Sequence, residues 1–331
     1  MDFHLAFTPK PFEIKINHQH KLMLIGSCFT EQIGNKLAQQ KFNVLDNPNG
    51  ILFNPVSIVQ AVGSYIANRQ FTAADLFYQN ECWNSWEHHS RFSHPDQQTC
   101  LQQINDSQQA AHHFLKNADW LLITLGSAFV YETSTSVAPQ AGEGHVKIVA
   151  NCHKVPTDKF NKRLLGVDEV VAMLQQMQKE LSVFNPALKI ILTISPVRHL
   201  RDGFIENNQS KAILINAVHN VTGPGSFYFP AYELVIDDLR DYRFYAEDMV
   251  HPNYAATNYV WEHFIATCID QPSQQLMKEI AVIVAAKNHK AFNPASEAHK
   301  NFLQTNLAKL NKLKEQYPYI NFLEEAAFFS A

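Results

Sequence analysis

The sequence predicts an α/β protein of three layers, in which a parallel sheet of about five strands lies between helices. Short apolar runs typical of buried strands occur at residues 22–25, 42–45, 120–124, 189–194 and 227–236. Amphipathic helical patterns separate these runs, most clearly at residues 168–181, where the apolar positions recur at helical spacing. Strands that alternate with helices favour a parallel sheet, because parallel neighbours need a crossover connection.

Length and composition predict one large globular domain with a smaller addition. The chain has 331 residues, of which 46% are hydrophobic and 18% charged, as in soluble globular proteins. The formal net charge is −4 and no basic patch is evident, which argues against a nucleic-acid partner. No apolar run approaches the ~18 residues that a membrane span requires, so we expect no membrane partner.

Two further observations predict a cytoplasmic location. The first ten residues lack the basic and apolar segments of a secretory signal. The five cysteines are irregularly spaced and do not resemble a disulfide framework.

Two regions depart from the alternation of strands and helices. Residues 69–96 are dense in aromatic side chains and histidine without a clear period, and we interpret them as an insertion that either covers the site as a lid or is simply packed. After residue 270 the pattern becomes helical, so we divide the chain into a catalytic domain at 1–270 and a C-terminal helical appendage at 271–331. A leucine stripe in the appendage packs either on the domain or against a second copy as a homodimer. The stripe consists of Leu303, Leu307, Leu310 and Leu313.

A candidate nucleophile follows the first strand, in the sequence Gly26-Ser27-Cys28. The glycine allows a tight turn, and the helical pattern that follows places Ser27 where backbone N–H groups and the positive end of the helix dipole converge. Such a position stabilises the oxyanion that forms during acyl transfer. The alternative is a serine that only caps the helix.

A candidate base lies near the other end of the domain, where Asp248 precedes His251 by three residues. Serine is a weak nucleophile at its own pKa and needs a base within hydrogen-bond reach, oriented by a third group. An Asp-x-x-His sequence can supply both from one loop. The alternative is an ordinary hydrogen-bonded loop.

Several blocks of the sequence resemble the GSCFA family. Residues 26–29 read G-S-C-F, with Thr30 in place of the alanine of the family name. The resemblance spans residues 3–265 and includes five further blocks in order. These are N-P-N-G-I-L-F-N-P at 47–55, T-L-G-S-A-F-V-Y at 124–131, V-A-N-C-H-K-V-P at 149–156, S-P-V-R-H at 195–199 and D-L-R-D-Y-R-F-Y-A-E-D-M-V-H-P at 238–252.

The family in turn resembles the SGNH, or GDSL-like, serine hydrolases, which implies a flavodoxin-like sheet and a Ser-Asp-His triad. Ser27 matches the nucleophile, Asp248 the orienting acid and His251 the base. The resemblance also implies an oxyanion hole formed by the N–H groups of Ser27 and Gly50. Many SGNH enzymes add an asparagine from a Gly-x-Asn-Asp block, which is missing here, and Asn151 is our candidate replacement.

Three residues at or near predicted strand ends are candidates for substrate binding, namely Gly126, Arg198 and His199. In open parallel sheets ligands bind outside the carboxyl ends of the strands. The planar donor fork of Arg198 suits a carboxylate or phosphate on a substrate, and the alternative is a structural ion pair. Gly50 and Asn151 likewise have plainer interpretations, as a turn glycine and a turn-capping asparagine.

The leading hypothesis is a serine hydrolase or O-acyltransferase that acts on an ester of a small molecule, carbohydrate or lipid, without a metal or organic cofactor. A neutral histidine base predicts activity that rises with pH between about 6 and 7. One alternative is a catalytically silent glycan- or metabolite-binding protein that retains the pocket. Another is a cysteine enzyme that uses Cys28 or Cys152.

Overall fold

The computed structural model describes residues 4–133 and 147–330. The strands are β1 (Lys21–Gly26), β2 (Asn43–Asp46), β3 (Leu76–Gln79), β4 (Cys82–Ser85), β5 (Trp120–Leu125), β6 (Phe129–Thr133), β7 (Ile148–Val149), β8 (Phe160–Leu164), β9 (Lys189–Ile194) and β10 (Ser226–Phe229). The helices are α1 (Cys28–Gln39), α2 (Pro55–Ile66), α3 (Gln97–Lys116), α4 (Val167–Phe184), α5 (Phe204–Val221), α6 (Ala231–Glu233), α7 (Tyr254–Cys268), α8 (Gln271–Lys287), α9 (Glu297–Gln316) and α10 (Leu323–Phe329).

The central sheet has five parallel strands in the order β10–β9–β5–β1–β2. Read from the β2 edge, the order is β2–β1–β5–β9–β10. When only these five strands are numbered along the chain, this is the order 2-1-3-4-5 of flavodoxin-like sheets. The predicted fold class is therefore confirmed. The order of the strands changes direction next to β1, so the end of β1 lies at the crevice where such sheets bind ligands.

Both faces of this sheet are covered, because successive side chains of a strand point to opposite faces. Met23 and Ile25 belong to the core beneath α2, α4 and α5, whereas Leu22 and Leu24 belong to the core beneath α1 and α7. All four side chains are almost fully buried. A continuous apolar run is what a strand buried on both faces requires.

The fifth strand is shorter than the sequence predicts. Strand β10 ends at Phe229, and after Pro230 the chain turns into α6 and then a π-helix at Leu234–Leu239. The alternation of apolar residues at 232–236 was therefore a wrong indication of strand. Leu234 and Val235 are both buried against the α7 side of the sheet, which is consistent with a helical turn.

Two smaller sheets lie outside the central one. Strands β7, β6 and β8 form an antiparallel sheet that the sequence did not predict. Within the insertion at 69–96, β3 and β4 form an antiparallel hairpin. The backbone N–H of His89 donates to the carbonyl of Asn49 at 2.8 Å, so the insertion packs on the turn that follows β2. Its role as a lid stays a prediction.

The C-terminal helices α8, α9 and α10 share their own hydrophobic cluster. Leu310 and Leu313 are buried in it, and Leu303 and Leu307 pack against it. The leucine stripe is thus used inside the chain, and a homodimer stays a prediction. Across the described residues, no helix is both long and apolar enough to cross a membrane.

Gly26 is a position where we expect a single methyl group to be costly. Its φ is +149°, and a Cβ there would lie 2.4 Å from the carbonyl oxygen of Thr124 on β5. We expect Gly26→Ala to lower the free energy of unfolding by about 2 to 4 kcal/mol, measured by urea denaturation.

Gly63 is the matched control, since it lies inside α2 and a Cβ there would meet nothing within 4 Å. Gly63→Ala should leave the free energy of unfolding unchanged or raise it by up to ~1 kcal/mol. Equal effects of the two substitutions would contradict the close approach at Gly26.

Candidate active site

Ser27 lies at the junction of β1 and α1 and is the N-cap of the helix. Its Oγ accepts a hydrogen bond from the backbone N–H of Phe29 at 3.3 Å. The residue is only 1% exposed. The side chain of Asn47 holds the junction from below, because its Oδ1 accepts from the backbone N–H of Gly26 at 2.8 Å. The strand-to-helix turn that the sequence predicted is thus present.

Ser195 is the direct partner of Ser27 and was missed as a site residue by sequence reasoning. The hydroxyl of Ser27 donates to Ser195 Oγ at 3.1 Å. Ser195 is the residue directly after β9 and is fully buried. The two serines are 168 positions apart, so no local pattern could have joined them.

Asp248 and His251 form the hydrogen-bonded pair that the sequence predicted. Nδ1 of His251 lies 2.6 Å from Asp248 Oδ2. The other oxygen, Oδ1, accepts from the backbone N–H groups of Val250 at 2.9 Å and His251 at 3.0 Å. If Nδ1–H donates to the carboxylate, Nε2 of His251 is left as an acceptor, which is the tautomer of a general base.

The environment of the pair keeps the carboxylate ionised. Hydrogen bonds from the backbone N–H and the side chain of His251, and from the backbone N–H of Val250, lower the pKa of Asp248 to about 2. The side chains of His251 and Asp248 are 44% and 49% exposed, so solvent reaches this side of the site.

One backbone contact joins the two halves of the site. The N–H of Arg198 donates to the carbonyl of Val250 at 3.1 Å, which ties the segment after β9 to the loop of His251. Ser195 lies three residues before Arg198 and touches Ser27. The described residues contain no hydrogen bond from His251 to Ser27 itself. The geometry therefore joins Asp248 with His251 and Ser27 with Ser195, and one hydrogen bond connects the segment of each pair to the residues that follow β9.

A model of the GSCFA family matches residues 21–264. The chain belongs to the GSCFA family. A second model, described as the C-terminal domain of GSCFA domain proteins, matches residues 280–331. No curated protein matches the chain.

Among solved structures, the chain is similar to a carbohydrate esterase of family 3 from Talaromyces cellulolyticus. The identity is 12%, and the match covers 80% of this chain and 99% of the esterase, with a TM-score of 0.34. A likeness at this level supports no conclusion about the chemistry of the GSCFA protein.

Two of the three predicted oxyanion residues of this GSCFA protein, Gly50 and Asn151, make hydrogen bonds within local turns. The N–H of Gly50 donates to the carbonyl of Asn47 at 2.7 Å, and the φ of Gly50 is +77°. Asn151 accepts from the backbone N–H of His153 at 2.8 Å through its Oδ1. Both contacts fit the plainer interpretation, a turn glycine and a turn-capping asparagine, and the oxyanion roles stay predictions. This arrangement does not offer the Gly50 N–H to Ser27.

Gly126 and His199 contact each other at the ends of β5 and β9. A Cβ on Gly126 would lie 3.3 Å from Nε2 of His199, so the glycine leaves room for the imidazole. Burial, and then the charges of Lys211 and His251, lower the pKa of His199 to about 3. His199 is therefore neutral at physiological pH. Its Nε2 is buried without a hydrogen-bond partner among the described residues.

The two candidate cysteines lack the environment of a nucleophile. Burial raises the pKa of Cys28, and it raises that of Cys152 to about 11. A reactive cysteine needs a lowered pKa, because the thiolate attacks and the thiol does not. The geometry therefore disfavours the cysteine-enzyme alternative.

Lys211 on α5 is a second residue that sequence reasoning missed. Its Nζ donates to the carbonyls of Gly126 and Ser195, both at 2.7 Å. The ammonium thus joins the ends of β5 and β9 directly beneath the site. The side chain is fully buried, and burial lowers the pKa of Lys211 to about 7. The signal in the sequence was a lysine directly before the apolar run of residues 212–215.

The lowered pKa of Lys211 predicts a specific pH dependence of stability. Lysine in an unfolded chain has a pKa near 10.4, so between about pH 7 and 10 the unfolded chain binds more protons than the folded one. The free energy of unfolding attributable to Lys211 should therefore rise with pH. We expect a rise on the order of 1 kcal/mol per pH unit between about pH 7.5 and 9, measured by urea denaturation.

Lys211→Met should remove this slope, because Met does not titrate. Lys179→Met is the control, since Lys179 is exposed on α4 and should keep the slope of the natural chain. If the difference in free energy of unfolding between the natural chain and Lys211→Met stayed constant from about pH 7.5 to 9, the lowered pKa of Lys211 would be contradicted.

Proposed function

We propose that this GSCFA protein is a serine hydrolase or O-acyltransferase of the SGNH type that acts on an ester. The substrate class is a small acylated molecule, such as an acylated carbohydrate or lipid. The observation that supports the proposal best is the short hydrogen bond between Asp248 and His251. Their loop is bonded to Arg198 in the segment after β9, and Ser195 of the same segment is bonded to Ser27. An aspartate that orients an imidazole beside a serine at a helix N-terminus is the arrangement that nucleophilic catalysis requires.

The proposed reaction begins when Ser27 Oγ attacks the acyl carbonyl. His251 Nε2 takes the hydroxyl proton, and Asp248 stabilises the imidazolium that results. The tetrahedral intermediate collapses, and His251 returns the proton to the departing alcohol. Water or a second alcohol then attacks the acyl-enzyme with His251 again as base. Neither a metal nor an organic cofactor is needed for these steps.

For this reaction the hydroxyl of Ser27 must turn from Ser195 towards His251. The bond between two neutral hydroxyls at 3.1 Å is worth about 1 kcal/mol, so its loss is a small part of the barrier. Catalytic hydrogen bonds are often long or absent without substrate and tighten only in the complex.

The N–H of Ser27 and the N-terminus of α1 are the proposed oxyanion donors, because the partial positive charge of the helix end faces the developing anion. Gly50 would join them only if its turn with Asn47 opened. Asn151 would join them only if its amide turned towards Ser27. Both assignments stay predictions.

The second candidate function is a glycan- or metabolite-binding protein without catalytic activity. Two observations favour it. The hydroxyl of Ser27 donates to Ser195 and not to His251. The segment Gly126-Ser127-Ala128 lacks the asparagine that many SGNH hydrolases use.

Ester cleavage by the natural chain and three variants tests the proposal. We expect hydrolysis of 4-nitrophenyl acetate to rise with pH between about 6 and 7, as a histidine base requires. Asp248, with its pKa lowered to about 2, stays ionised throughout this range and does not contribute to the rise. His251→Ala should lower kcat by about 10² to 10⁴, and Asp248→Asn by about 10 to 10², because the exposed acid acts only through the imidazole.

Ser27→Ala is the background control, and its residual rate measures cleavage elsewhere on the protein. A pH-independent rate from about pH 5 to 9, or an equal rate in Ser27→Ala, would contradict the proposal. Binding of a sugar or metabolite without cleavage would then favour the second candidate.

A further inference from the structure

Arg198 is distinguished from the other arginines by having no acidic partner although it is half-buried. Arg69, Arg91, Arg163 and Arg243 all pair with carboxylates. Arg201 and Arg240 are exposed to water. Across residues 4–133 and 147–330, no carboxylate lies within ion-pair distance of the Arg198 guanidinium. Partial removal of a cation from water without a counter-ion is unfavourable, and the planar guanidinium matches the geometry of a carboxylate or phosphate that would compensate it.

Two tyrosine rings hold the guanidinium in place. Its central carbon lies 4.9 Å from the ring centroid of Tyr242 and 4.2 Å from that of Tyr245. Stacking on aromatic rings stabilises the cation and limits its rotation, but leaves the N–H donors of its edge available. The fork is therefore held in position before any ligand arrives.

A second unsatisfied polar group lies beside this fork. Tyr245 is only 7% exposed, and its hydroxyl makes no well-aligned hydrogen bond among the described residues. The Arg198 guanidinium lies close enough to this hydroxyl to oppose the rise in the pKa of Tyr245 that burial causes. A buried hydroxyl without a partner is unfavourable unless a ligand completes it. The N–H donors of the Arg198 guanidinium and the hydroxyl of Tyr245 can together bind the oxygens of one anionic group.

The position of Arg198 links this group to the proposed chemistry. Its backbone donates to Val250, the residue before His251, and it follows Ser195 by three residues. Lys211 lies beneath the same strand ends, where its Nζ donates to two carbonyls, and Asp248 is bonded to His251. An anion at Arg198 would therefore lie beside the loop that carries the proposed base.

We propose that Arg198 binds an anionic oxygen group of the ester substrate, so that the preferred substrates are acidic esters such as acylated sugar acids or acylated sugar phosphates. This inference rests on the proposed function. Arg198 acts as a specificity-determining residue, and Tyr242 and Tyr245 are positioning residues for its fork. Because bidentate contacts between arginine and an anion are strong and geometrically selective, removing the fork should affect charged substrates and spare neutral ones.

The test uses substrates that differ in charge alone. An O-acetylated methyl glucuronoside is compared with its uncharged methyl ester, and an O-acetylated glucoside 6-phosphate distinguishes phosphate from carboxylate. The natural chain should prefer a charged substrate, and Arg198→Gln should lower the ratio of kcat/KM for charged over neutral substrate by about 10- to 100-fold. Arg198→Lys keeps the charge without the fork and should give an intermediate ratio. Tyr245→Phe should lower the ratio by about 3- to 10-fold.

Arg243→Gln is the matched control, since Arg243 lies between Tyr242 and Tyr245 in the chain but its side chain is 74% exposed and pairs with Asp241. It should change the ratio by less than about 2-fold. An unchanged ratio in both Arg198→Gln and Arg198→Lys, with melting temperatures near that of the natural chain, would overturn the inference.

Binding separates this inference from the proposed function. If no ester is cleaved, glucuronate, glucose 6-phosphate and neutral glucose are titrated into the natural chain and Arg198→Gln and followed by NMR. Anion binding that Arg198→Gln abolishes would support the anion site while the hydrolase proposal fails. Equal binding of all three ligands, or of the anions to both proteins, would reject the anion site.

Discussion

The close approach of β1 to β5 at Gly26 leaves no space for a side chain, and the placement of the candidate nucleophile depends on that approach. A Cβ at Gly26 would meet both the carbonyl of Thr124 and the Oγ1 of Thr30 at less than 3 Å. Asn47 supports this turn twice, because its Oδ1 accepts from the Gly26 N–H and its backbone N–H donates to the carbonyl of Leu24, both at 2.8 Å. Ser27 then caps α1 and is directed into the crevice where the order of the strands changes.

A second set of contacts keeps the strand ends of this crevice together. Lys211 donates to carbonyls at the ends of β5 and β9, where the parallel ladder stops and backbone acceptors lack a strand partner. Ser195 in turn holds Ser27, and Arg198 holds the loop of His251 through Val250. The buried serine and the loop of the exposed imidazole are thereby both connected to the segment after β9, which suits a site whose groups must be positioned before a substrate binds.

Much of the fold could be predicted from the sequence because its signals are local. The runs of β1, β5 and β9 are continuous and apolar, which only a strand buried on both faces requires. The Asp248–His251 bond was predictable for the same reason, since the two residues share one short loop. The segment after Pro230 differs from the predicted strand because its buried positions follow helical spacing. Ala231, Leu234, Val235 and Asp238 are buried, whereas Tyr232 and Ile236 of the alternating pattern are only partly buried.

The contacts of the site itself could not be predicted in the same way. The bond from Ser27 to Ser195 and those from Lys211 to two strand ends join residues that are far apart in the chain, and they exist only once the sheet has formed. The oxyanion roles of Gly50 and Asn151 came from resemblance, and the structure shows the N–H of Gly50 and the Oδ1 of Asn151 bonded in local turns. A turn glycine and an oxyanion glycine have the same sequence signature, so tertiary geometry alone distinguishes them.

Covalent labelling of Ser27 tests the central claim most directly. The purified protein is treated with a fluorophosphonate, and the adduct is located by peptide mass spectrometry in the natural chain, Ser27→Ala and His251→Ala. The account predicts a stoichiometric adduct on Ser27 that is lost in Ser27→Ala and forms far more slowly in His251→Ala. No adduct, under conditions where a reference serine hydrolase labels fully, would contradict it.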